Sequence, residues 1–77
     1  MENFSDGFGK RLKLVMLDKS VTVKALASEL HYDVVAVSHW RTGTTIPPVT
    51  TLYNICKALD TSADYLLGLT GDDEVSA

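Results

Sequence analysis

The 77-residue chain holds one cysteine, Cys56, so no internal disulfide can form. Its two histidines, His31 and His39, fall on separate elements with no carboxylate at ligand spacing, which argues against a metal site. No apolar run approaches the roughly 20 residues that span a bilayer. The Met1-Glu2-Asn3 start lacks a basic stretch followed by an apolar one, so no secretory leader is expected. With a lone thiol, these absences suit a reducing, cytoplasmic setting. Repeats and low-complexity tracts are missing. So are a nucleophile–base pair, a glycine-rich phosphate loop and paired carboxylates in a plausible cleft. The expectation is a protein that is not an enzyme and needs no cofactor.

Positive charge is also scarce. Seven Lys and Arg face ten Asp and Glu, a net charge of −3. A protein that binds nucleic acid indiscriminately is ordinarily basic, so that class is disfavoured. A selective binder needs only a positive contact face. Much of the acid is concentrated in Asp72, Asp73 and Glu74. Residues 70–77 are therefore read as an acidic, flexible tail, and residues 1–69 as one domain near the lower size limit for an independent core.

What is present is helical periodicity. Phe8, Leu12, Val15 and Met16 fall on one stripe, predicting a helix over about 7–19 with Ser5 or Asp6 as its cap. Thr22 caps a second helix over 23–30, with Leu26, Ala27 and Leu30 on one face. Asp33 caps a third over 34–42, with Val37 and Trp40 inward, and Gly43 ends it. Trp40 is expected as core between the second and third helices. Residues 44–48 form an extended loop, because the residue before a proline avoids helical angles. A fourth helix runs from Pro48 or Val49 to Asp60 on a stripe of Leu52, Ile55, Cys56 and Leu59, with Cys56 an inert small hydrophobe. Ser62 caps a short fifth helix that Gly68 stops. The expected class is all-α, five helices and no sheet.

The informative stretch is Thr22 to Gly43. Two short helices are separated by only His31-Tyr32-Asp33, the geometry that lets the second lie in a DNA major groove. Ala27 is small where the two must approach, and Val37 must reach the same core across a tight turn.

Over residues 9–69 the chain resembles the Cro-like, XRE-like helix-turn-helix domains of phage repressors and bacterial regulators. The resemblance rests on Arg11-Leu12-Lys13, Val21-Thr22, Leu26-Ala27, Leu30, Val37-Ser38, Trp40, Gly43, Pro47 and Leu52. It continues through Ala58-Leu59-Asp60-Thr61-Ser62 and Asp64-Tyr65-Leu66-Leu67-Gly68. It implies a lambda-repressor-like fold and a transcriptional regulator that binds double-stranded DNA, with a palindromic operator and a homodimer. Residue by residue, it puts Val34, Val35, Ser38 and His39 on the groove-facing side. Thr44 and Thr45 fall in the loop that reaches phosphate or base edges. Thr22 and Val23 fall at a helix N-terminus that faces a phosphate.

Four positions depart from the family pattern. Val23 stands where Gln is usual, and His31 where Gly is usual. Met16 and Arg41 occupy the places of a frequent Arg–Glu ion pair. Val34 and Val35 can contact thymine methyls or form an apolar patch for a protein. Ser38 and His39 suit bases, phosphates or solvent, and Lys24 and Arg41 suit phosphates or solvent. Arg41 could instead lay its stem along Met16. Leu14 and Leu17 lie opposite the buried stripe of the first helix. They suggest contact with a second chain, or wrapping by the C-terminal segment. The competing function is a protein-interaction module on the same fold, reached through Leu14 and Leu17 or the Val34-Val35 face.

Overall fold

A computed structural model of the chain describes residues 3–69. The acidic segment read over 70–77 lies outside the described residues. Five helices follow one another and no strand occurs among the described residues: α1 Phe4–Asp18, α2 Val23–Leu30, α3 Val34–Thr42, α4 Val49–Leu59 and α5 Ala63–Leu67.

Each helix begins on an extended residue, and three of these residues also cap with a side chain. Thr22 Oγ1 accepts from the Ala25 N–H at 3.0 Å, and Ser62 Oγ accepts from the Tyr65 N–H at 3.1 Å. The cap of α1 is Asn3, whose Oδ1 accepts from the Asp6 N–H at 2.9 Å. This corrects the sequence reading. Ser5 and Asp6 lie inside the first turn, and α1 starts earlier than its apolar stripe suggests. Phe4 is half exposed, so it adds little to the periodic signal, yet its ring stacks on Phe8 at 6.3 Å.

All five helices end in one hydrogen-bond pattern, an N–H reaching back to a carbonyl one turn and a residue earlier. The pairs are Val21 to Met16, Tyr32 to Ala27, Thr44 to His39, Thr61 to Cys56 and Leu69 to Asp64, at 2.8–3.1 Å. Each requires a left-handed residue just before the donor: Ser20, His31, Gly43, Asp60 and Gly68. His31, at φ 62° and ψ 40°, makes the α2–α3 turn where the family prefers glycine. A non-glycine residue pays on the order of 1 kcal/mol for that conformation. The turn survives because both of its closing hydrogen bonds form.

The core gathers Phe8, Leu12, Val15 and Met16 of α1 with Leu26 and Ala27 of α2, Val37 and Trp40 of α3, Ile55 and Leu59 of α4, and Leu66 of α5. α1 packs against α3 and α5, and α2 against α3 and α4. The α1–α3 crossing is so close that a Cβ on Gly9 would sit 2.5 Å from the Arg41 carbonyl oxygen.

The α4 stripe differs from the expected one. Ile55 and Leu59 are buried, but Leu52 and Cys56 are only half-buried, and Thr51 is buried in addition. Thr51 is tolerated inside because its Oγ1 and Tyr32 Oη share a hydrogen bond of 2.8 Å. Tyr32 also sets its ring edge against Trp40, with centroids 5.2 Å apart. The turn between α2 and α3 is thereby tied to α4. Arg11 has a structural role that the sequence did not suggest. Its Nε donates to the Leu66 carbonyl at 3.1 Å, placing a cation at the negative end of α5.

Candidate nucleic-acid interface

At the start of α2, the Thr22 side chain takes the Ala25 N–H and its carbonyl takes the Leu26 N–H. The N–H groups of Val23 and Lys24 have no acceptor among the described residues. They point out of the helix toward its positive end, where an anion is favoured. The Val23 side chain is half-buried against the core, so this residue offers its backbone alone. Lys24 is exposed beside it.

α3 has two unlike sides. Val37 and Trp40 are buried, whereas Val34 and Val35 are 47% and 61% exposed. His39 is exposed and Ser38 half-exposed. Positions 34, 35, 38 and 39 share one face of a 3.6-residue helix, so these four side chains come together as expected. Asp33 starts the helix but makes no side-chain capping bond. Its carbonyl accepts from Ala36 at 3.1 Å and from Val37 at 3.3 Å, and its carboxylate stays exposed at the head of the helix.

After α3 the chain turns on the His39 carbonyl, which accepts from the N–H groups of Thr44 (2.9 Å) and Thr45 (3.3 Å). It also accepts from Thr42 Oγ1 at 3.2 Å. The Thr44 hydroxyl pairs with that of Thr42 at 2.9 Å. Thr45 is exposed, and its hydroxyl has no partner among the described residues. Of the two loop threonines, Thr45 is therefore the one with a hydroxyl unused within the fold.

Arg41 does not fill the place of a glutamate paired with an arginine of α1, since Met16 stands opposite in the sequence pattern. It is half-buried in a groove lined with Asp6, Lys10, Lys13 and Thr42, and its buried Nε has no hydrogen-bond partner among the described residues. Leu14 and Leu17 are 52% and 75% exposed. No described part of the C-terminal segment wraps Leu17. The Cys56 thiol is pushed up from its ordinary value by burial, which keeps it protonated and unreactive at neutral pH. Among the described residues no group of three or more His, Cys, Asp or Glu could hold a metal ion. No helix among them is long and apolar enough to cross a membrane.

A family model described as helix-turn-helix matches residues 12–66, from the middle of α1 into α5. No curated protein matches the chain.

Proposed function

The chain belongs to the XRE-like helix-turn-helix family of DNA-binding regulators, and from that premise we propose that it is a sequence-specific repressor. It binds double-stranded DNA as a homodimer on a palindromic operator, with α3 in the major groove. The observation that carries this reading is the outer face of α3. Val34, Val35, Ser38 and His39 lie there side by side, and the start of α2 adds N–H groups unused within the fold. Val34 and Val35 favour thymine beneath them through its methyl group, and Ser38 and His39 supply hydrogen bonds to base edges. Thr22, Lys24, Thr45 and the backbone of Val23 hold phosphates and fix the register, with Thr44 bracing the loop.

Selection of sites from random duplex DNA at moderate salt tests the proposal, and the expected result is an enriched palindrome. With about four to six phosphates neutralised per dimer, log affinity should fall against log salt with a slope of roughly −4 to −5. The second reading, a protein-interaction module, is favoured by the apolar Val34-Val35 pair and the bare Asp33 carboxylate. No enrichment, together with no binding to any duplex at low salt, would establish it over the first.

A further inference from the structure

Positive charge is scarce on this chain, and it is not spread evenly. Three of the seven Lys and Arg, namely Lys10, Lys13 and Arg41, line one groove of about 390 Å³ between α1 and the end of α3. Asp6 and Thr42 line it as well, so three cations stand with one carboxylate, in a chain whose net charge is −3. Asp6, Lys10 and Lys13 are spaced i, i+4 and i+7, which sets them on one stripe of α1. The α3 side is fixed at the helix crossing, where the Trp40 and Arg41 carbonyls lie against Gly9.

Arg41 is the member that the fold does not explain. The residue is half-buried, and its buried Nε has no hydrogen-bond partner among the described residues. A buried donor on a charged group is costly when unpaired, and native proteins satisfy such groups. A guanidinium in that state suits a ligand that brings oxygens, because its planar fork can give two parallel bonds to a phosphate.

We infer that this groove binds a phosphate group, and that the DNA read by α3 supplies it from its backbone. The inference rests on the DNA reading above and extends its footprint beyond the head of α2. Arg41 follows Val34 by seven residues and Thr42 follows Ser38 by four, so both continue the outer side of α3. Arg41 stands at the edge of that side, between Val34 and buried Val37. A helix with its side chains is about 10–12 Å across, and the major groove is about 12 Å wide, so the helix fills it from wall to wall. Groups on the edge of the helix then meet the walls, which are phosphates. Val34, Val35 and Ser38 bring no charge to the middle of the face, and the cations of this groove supply it from the flank.

The test compares five full-length proteins: wild type, Arg41→Met, Arg41→Lys, Lys13→Gln and Lys57→Gln. Lys57 lies over the Tyr53 ring and takes no part in the groove, so its loss controls for net charge alone. Arg41→Met keeps an unbranched stem and deletes the orphaned donor, so its melting temperature should equal or exceed that of wild type. Its affinity for random duplex at low salt should fall about tenfold, the value of one charge-assisted contact. Lys13 is exposed, so Lys13→Gln should leave the fold untouched. The slope of log affinity against log salt should be shallower by about one in Arg41→Met and in Lys13→Gln, and unchanged in Lys57→Gln. Arg41→Lys should keep the wild-type slope and regain part of the affinity, since the charge remains and the fork is lost. Inorganic phosphate, titrated into wild type at constant ionic strength, should move the NMR signal of the Arg41 Nε–H.

Wild-type slopes in both Arg41→Met and Lys13→Gln, in a protein that binds duplex, overturn the inference and leave the reading face of α3 standing. If no duplex binds at low salt, the DNA reading fails, and inorganic phosphate alone decides the groove. A moving Nε–H signal then upholds a phosphate site filled from solution, and a still one overturns it.

Discussion

The two sides of α3 obey different rules. Its inner side carries Val37 and Trp40, exposed by 0% and 3%, and its backbone lies against Gly9. Its outer side carries Val34 and Val35, 47% and 61% exposed, with Ser38 and His39. The inner side chains are enclosed by the core, while the outer ones stand partly open to solvent. One short helix can therefore hold its place through one face and leave the other free for recognition. The comparison breaks if inner substitutions are cheap, or if outer ones are costly to folding.

The largest effect should come from Trp40→Ala. It empties a buried site and removes the edge contact with Tyr32, so a loss of about 3–5 kcal/mol is expected in a denaturant or thermal melt. A loss under about 1 kcal/mol would show that this side of α3 is not packed as described. Gly9→Ala comes next. The new methyl would press on two backbone carbonyls, those of Trp40 and Arg41, which cannot swing aside as a side chain could. The crossing must open, at about 1–3 kcal/mol, even though alanine favours an isolated helix. A stabilised Gly9→Ala protein would mean that α1 and α3 stand further apart.

On the outer side the readout moves from folding to binding. His39→Ala should leave the melting curve nearly unchanged and weaken the selected site about tenfold, the value of one good base contact. Binding to unrelated duplex should hardly change, since base contacts add little there. Equal affinity of mutant and wild type for the selected site would place His39 toward solvent.

The division between these faces was mostly legible in the sequence. Phe8, Leu12, Val15 and Met16 are spaced as one stripe, and Val37 and Trp40 repeat the rule, so helices and core follow from periodicity. The left-handed turn at His31 was signalled by the resemblance alone, which sets His31 where glycine is usual. What stayed hidden depends on partners distant in the chain. Gly9 in a helix looks like a simple weakness until the Arg41 carbonyl is placed beside it. Thr51 looks like a surface residue until Tyr32 reaches it. Arg11 looks like a solvated charge until the end of α5 is set against it. Asn3, Ser5 and Asp6 are all good cap residues, and only the backbone geometry chooses among them. On the candidate interface, the exposed face of α3 could be foreseen. The inward packing of Val23 and the groove that joins Lys10 and Lys13 to Arg41 could not, because both depend on how separate helices meet.

The heads of α2 and α3 give a finer version of the same contrast. Thr22 satisfies an N–H that is otherwise orphaned, so Thr22→Ala should cost about 1 kcal/mol of stability by thermal melt. No loss would show that water replaces the hydroxyl at no cost.

The smallest effect on folding should come from Asp33→Asn. The Asp33 carboxylate makes no capping bond, so all it gives α3 is a favourable charge at the positive end of the helix, worth a few tenths of a kcal/mol when exposed. Asparagine starts a helix equally well, so stability should move by less than about 0.5 kcal/mol. Binding should move the other way. The head of a helix lying in the major groove is flanked by phosphates, and a carboxylate there repels them. Two like charges a few ångströms apart in water cost up to about 1 kcal/mol. Asp33→Asn should therefore bind DNA severalfold more tightly at low salt, with the gain fading as the screening length shortens. Affinity measured by fluorescence anisotropy at two salt concentrations checks both the size and the trend. A stability loss above about 1 kcal/mol would mean that the carboxylate caps α3 in solution. Unchanged affinity at low salt would mean that the head of α3 lies away from the DNA backbone. The helix would then be offering Val34 and Val35 to a partner other than DNA.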